Sequence, residues 1–128
     1  MSCKYTYLIS TALLCLLYLA SAALYITQGD TVRQALGALG YPAYLVPVMI
    51  ATKLLAVAAI VSRLKVALSD LAYAGMLYHL LLSGSAHVNA GSPIGAVPAL
   101  AGLVLLAASF LTQNAARKSQ SPYAPAAA

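Results

Sequence analysis

The sequence predicts an all-α integral membrane protein, a four-helix bundle with a short surface helix between helices one and two. Three observations carry this. The chain of 128 residues is 62% hydrophobic and only 7% charged, whereas a soluble domain is roughly 45–50% apolar and about 25% charged. Its mean hydropathy is +0.88. Its apolar residues gather into four runs, each able to cross a bilayer core at ~20 residues per span. With charge this scarce, function must sit within the membrane, in short loops or with a partner.

Helix one is expected over 5–26. Lys4 and the small residues Ala20, Ser21 and Ala22 give it some likeness to a signal peptide. The apolar run continues past that point through Ala23, Leu24, Tyr25 and Ile26, so it is read as a retained span. Cys15 falls inside it, where a thiol behaves as a small hydrophobe. With Cys3 it makes no C-x-x-C pair, and two cysteines are too few for a disulfide framework.

Thr27 to Asp30 reads as a turn, and 31–39 as a short helix at the membrane surface, capped by Asp30 or Thr31 and ended by Gly40. Helix two is expected over 42–62, opened by Pro42 and bent at Pro47. Helix three is expected over 66–87 with Ser69 as N-cap. Asn89, Gly91, Ser92 and Pro93 mark a loop, and helix four follows over 94–113. Residues 1–113 thus form one transmembrane domain. Residues 114–128 have no apolar period and read as a disordered cytoplasmic tail.

Lys4, Arg63, Lys65, Arg117 and Lys118 fall on one side of such a bundle, and Arg33 alone on the other. Cytoplasmic loops collect Lys and Arg, so both termini are expected in the cytoplasm and the chain in the inner (plasma) membrane. The same scatter of basic residues excludes a nucleic-acid-binding stripe.

The polar residues inside the spans are the candidate site. Lys53 lies near the bilayer centre, where a lysine costs about 2.5–3.5 kcal/mol on insertion scales. Its head is ~15 Å from either helix end, beyond the reach of snorkelling. It must therefore point into the bundle, toward Asp70, Tyr73 or His79 of helix three, or toward hydroxyls of helix one. Asp70 is its obvious counter-ion, although a carboxylate there also suits a helix N-terminus and pairing with Arg63 or Lys65. His79, Ser83 and His87 are spaced by four and fall within an ~80° arc. Ala72, Gly75 and Ala86 share that side, a small and polar stripe of the kind that packs against other helices. Two histidines ~12 Å apart cannot share one metal, so no metal site is expected. Phosphate loops, nucleophile elbows and zinc-helix motifs are absent from the sequence.

The stretch from Leu39 to Gly91 resembles the DoxX-like family of small four-helix membrane proteins. The likeness rests on Leu39-Gly40-Tyr41-Pro42-Ala43-Tyr44-Leu45, on Ala51-Thr52-Lys53-Leu54-Leu55, on Asp70-Leu71-Ala72-Tyr73-Ala74-Gly75-Met76, and on Gly84-Ser85-Ala86-His87 with Gly91. The sequence departs from the family's pattern at Asp70, where the acid is usually glutamate, at Leu71, usually aromatic, and at Ala86, which displaces a serine beside His87. The resemblance implies fold and membrane location. Some relatives are linked to thiosulfate–quinone oxidoreductases, which raises quinone as a ligand without transferring any catalytic residue.

The expected function is binding of a small amphipathic ligand such as a quinone, in a polar pocket between helices two and three, or service as an accessory subunit. Lys53, Asp70, Tyr73, His79, Ser83 and His87 are the ligand-binding candidates. The chain carries no cofactor motif of its own. The expected partners are membrane lipid, a redox protein and a second copy of the chain. The alternative is a membrane subunit of an oxidoreductase complex, in which catalysis belongs to the partner. A small transporter ranks behind both. Exporters of this size resemble one another through a glutamate in helix one, and no acid occurs between Tyr5 and Ile26.

Overall fold

The computed structural model describes residues 3–126; residues 1–2 of the expected domain and 127–128 of the expected tail lie outside the described residues. The elements are α1 (Cys3–Thr27), α2 (Gly29–Ala38), α3 (Leu45–Ser62), α4 (Val66–Asn89) and α5 (Val97–Thr112). Single 3₁₀ turns, Pro93–Ala96 and Gln113–Ala116, flank α5. Among the described residues there is no strand. Four units, Cys3–Thr27, Leu45–Ser62, Val66–Asn89 and Pro93–Ala116, are long and apolar enough to cross a membrane. This is the predicted all-α membrane bundle, with α2 as the short extra helix.

α1 packs on α3 and α5, and α4 packs on the same two helices, so α1 and α4 stand diagonally opposite. The start of α1 and the end of α5 lie at one end of this bundle, called the termini end. α2 and the α4–α5 turn lie at the other, the hairpin end. Among the described helices, α2 touches only α1 and α3.

Each span buries one narrow stripe and turns the rest outward, as lipid solvation permits. α1 buries Tyr7, Ser10, Leu14, Cys15, Tyr18 and Ala22. α3 buries Val46, Lys53, Val57 and Ile60. Leu14, Tyr18, Ile60, Met76, Leu80 and Leu106 are central to the core. Leu16, Leu55, Leu71, Leu82 and Val104 face outward.

The starts of α2 and α3 differ from expectation, and α4 starts where expected but with another cap. α3 begins at Leu45, not Pro42, and Pro47 falls in its first turn. The first four N–H groups of a helix have no partner within it, so a proline there forfeits no bond. α4 begins at Val66, with the extended Lys65 before it. Ser69 is thus inside the helix, and its hydroxyl donates to the Ala59 carbonyl of α3 at 3.2 Å. α2 begins at Gly29 without a side-chain cap. Asp30 instead pairs with Arg33 at 2.8 Å.

The packed stripe of α4 overlaps the expected one, in which Ala72 is buried and His79, Ser83, Ala86 and His87 are half-buried, but it is turned toward larger side chains. It is Ser69, Ala72, Tyr73, Met76 and Leu80. Gly75 is exposed, and a Cβ added there would meet nothing within 4 Å. Larger apolar side chains bury more area than glycine or serine, so Met76 and Leu80 decide which way the helix turns. The close helix approach comes from α5, where a Cβ on Gly102 would lie 2.8 Å from a Leu80 methyl and 3.2 Å from one of Leu17.

The segment after α5, expected to be unordered, folds back on the termini end. Asn114 and Ser121 are both buried. The Asn114 amide donates to the carbonyls of Ser121 (3.0 Å), Ala124 (3.3 Å) and Pro125 (3.0 Å). Its carbonyl accepts from the Ser121 N–H at 2.8 Å. One asparagine therefore ties a strap that has no apolar periodicity of its own.

Candidate functional site

Lys53 sits at the middle of α3, on the same face as Val46, Ile50 and Val57, and is only 4% exposed. Its side chain runs toward α1. The ammonium lies 4.6 Å from the ring centroid of Tyr25 and 5.5 Å from that of Tyr18. Among the described residues it makes no ion pair and no side-chain hydrogen bond. Every fully buried polar side-chain atom among those residues has a hydrogen-bond partner. The ammonium has none, so it retains part of the residue's small exposure. Cation–π contacts contribute about 0.5–2 kcal/mol each. Two of them roughly offset the about 2.5–3.5 kcal/mol of placing a lysine at mid-membrane. They leave its N–H donors unused.

His79 approaches the same place from the diagonal helix. Its Nδ1 shares a 2.9 Å hydrogen bond with the Tyr18 hydroxyl. The two rings meet edge to face, centroids 5.6 Å apart. Lys53, Tyr18, Tyr25 and His79 thus form one cluster from α3, α1 and α4. Toward the hairpin end, Tyr25 also lines a cleft of about 500 Å³ with Ile26, Thr27, Gly29, Asp30, Arg33, Val46, Pro47 and Ile50.

Asp70 does not join this cluster. Its carboxylate accepts the Ser121 hydroxyl at 2.9 and 2.8 Å on its two oxygens, and the Gln113 amide at 3.4 Å. The Ser69–Ala59 bond sets the depth: Asp70 is level with about position 58, so Lys53 is ~8 Å further along the axis at 1.5 Å per residue. Asp70 pairs with neither Arg63 nor Lys65. Arg63, the left-handed C-cap of α3 at φ 52°, lies over the Tyr7 ring at 5.2 Å and donates to the Ala116 carbonyl at 3.0 Å.

Tyr73 also belongs to the termini half. Its hydroxyl meets the Ser109 hydroxyl at 2.6 Å, and Ser109 meets Thr11 at 2.6 Å, which links α4, α5 and α1. Ser83 and His87 carry no side-chain hydrogen bond among the described residues. His87 packs on the α4–α5 turn, where a Cβ on Gly95 would collide with its ring. The six expected residues therefore divide into three places. Lys53 and His79 come together, Asp70 and Tyr73 lie at the termini end, and Ser83 and His87 lie toward the hairpin end. A pocket was expected between helices two and three, and Lys53 and His79 meet against helix one. Tyr18 and Tyr25, which belong to this cluster, were not among the expected residues. The available signal was two tyrosines seven apart on one face of an aliphatic span, the first at mid-depth with a hydroxyl that needs a partner. Among the described residues no three of His, Cys, Asp and Glu converge as metal ligands.

Searches of the curated proteins and of the solved structures find no match. The model of the DoxX-like family matches residues 9–109, from the first turns of α1 to the end of α5. That covers all four spans and most of the sequence, and the chain belongs to the DoxX-like family.

Proposed function

We propose that the protein binds a small amphipathic molecule bearing a hydrogen-bond-accepting oxygen, a quinone being the type, with Lys53 as principal donor. Tyr18, Tyr25 and His79 shape the seat. One observation carries this reading: a mid-membrane ammonium with two aromatic contacts and unused donors. The donor set suits a carbonyl oxygen, and the two rings suit a flat conjugated body. The chain serves a redox enzyme as an accessory that holds such a molecule, and electron transfer belongs to that partner.

The test is retention of a short-chain ubiquinone by detergent-purified protein. Wild type retains it, and Lys53→Ala loses it. Equal retention by the two proteins would sink the reading.

We further propose that both termini face the cytoplasm, in the inner membrane. Lys4, Arg63, Lys65, Arg117 and Lys118 belong to the termini end, and Arg33 to the other. Reporter fusions within Arg63–Lys65 should read cytoplasmic. An external reading reverses the orientation.

A further inference from the structure

Three routes could connect the Lys53 cluster with its surroundings. The termini end is closed, because Gln113, Asn114 and Ser121 are all buried beneath the folded-back strap. A lateral groove of about 440 Å³ opens between α4 and α5, lined by Leu80, Gly84, Val88, Ala96, Leu100 and Leu103 among others. None of Lys53, Tyr18, Tyr25 and His79 lines it. The cleft under α2 differs in one respect. Tyr25 lines it, and the same ring receives the Lys53 ammonium at 4.6 Å. Ile50 of that cleft precedes Lys53 by three residues on one helix face.

The cleft is also graded. Asp30 and Arg33 form an exposed ion pair on its α2 side. Val46, Pro47 and Ile50 give it an apolar wall. Tyr25 is half-buried at the foot of this wall. A molecule with a polar end and an apolar body meets both kinds of surface in order.

We propose that the cleft under α2 is the entrance to the Lys53 site and that the Tyr25 ring is its gate. The proposal rests on reading Lys53 as the ligand-binding group, and it names the route and the gate. Rotation of one tyrosine side chain opens the passage, and its return restores the cation–π contact. The ring closes the passage by its bulk, so the closure does not depend on the lysine behind it.

The experiment uses the full chain with Cys3→Ser, Cys15→Ser and Lys53→Cys, in detergent. The probe is a small water-soluble methanethiosulfonate cation, and the readout is the rate of labelling. Tyr25→Ala should speed labelling by roughly an order of magnitude, as removal of a gate does. Leu100→Ala, which widens the α4–α5 groove, should leave the rate unchanged. No acceleration by Tyr25→Ala, or acceleration by Leu100→Ala instead, overturns the route. Ile50→Cys keeps Lys53 and gives a second reading should Lys53→Cys misfold. A bulky maleimide on it should slow uptake of short-chain ubiquinone, and uptake at an unchanged rate counts against the cleft. The labelling rate involves no ligand. Quinone retention that ignores Lys53 would remove the binding function and leave the route standing, whereas labelling that ignores Tyr25 removes the route alone.

Discussion

At the termini end, Asp70, Gln113, Asn114 and Ser121 hold one another, and beside them Ser109 joins Thr11 to Tyr73. Halfway up the same bundle, Lys53 holds nothing by a hydrogen bond. Both regions put polar groups among apolar helices, where an unmade bond is costly. The termini cluster answers with partners: Ser121 caps both Asp70 oxygens, and Ser109 bridges Thr11 and Tyr73. The Lys53 cluster answers with ring faces, which accept positive charge and leave the N–H groups free. Closed networks rigidify, whereas a group stabilised with spare donors can still take a ligand. The difference makes the first region architectural and is what supports the binding role proposed for the second.

The largest stability effect should come from Asp70→Ala. A hydrogen bond to a charged group is worth about 1.5–3 kcal/mol, and this change leaves the buried Ser121 hydroxyl without its acceptor. Thermal unfolding in detergent should show a loss on that order. Trypsin should cut more readily after Lys118, because the strap loses its anchor. A strap that stays protected would break the architectural half of the comparison.

Ser109→Ala should cost less. It removes both interhelical bonds of the hydroxyl bridge, and such bonds in membrane proteins average about 0.6 kcal/mol with a maximum near 1.7. A loss of about 1–2 kcal/mol in a denaturant titration is expected, with quinone retention unchanged. Retention that falls with it would join the two regions into one site.

The fold was legible because membrane solvation simplifies it. Composition marked the spans, and the absence of a partner for backbone groups in lipid forces each into a helix. α2 and the burial of Lys53 followed from local pattern and insertion energy. The details of the site did not. Asp70 looked like the counter-ion because it was the only acid within a span, but an acid one turn into α4 is at the wrong depth. Its partners, Gln113 and Ser121, lie in a segment whose composition suggested disorder. Gly75 suggested the packed face of α4 but is exposed, because Met76 and Leu80 turn that face toward themselves. Tyr25 read as part of the first apolar run, and the packing of α1 on α3 is what brings its ring to Lys53.

The smallest expected stability change carries the central claim. In Lys53→Leu the protein loses two cation–π contacts and also the cost of a desolvated ammonium, so its stability should stay within about 1 kcal/mol of wild type. The same substitution deletes the donor proposed for the ligand, a charged hydrogen bond of about 1.5–3 kcal/mol, which predicts roughly a ten- to hundred-fold loss of affinity. The decisive measurement is therefore paired: unfolding stability and short-chain ubiquinone affinity of Lys53→Leu on one preparation. Near-native stability with weakened binding is the predicted result. A large loss of stability with affinity unchanged would make Lys53 a structural group and contradict the account.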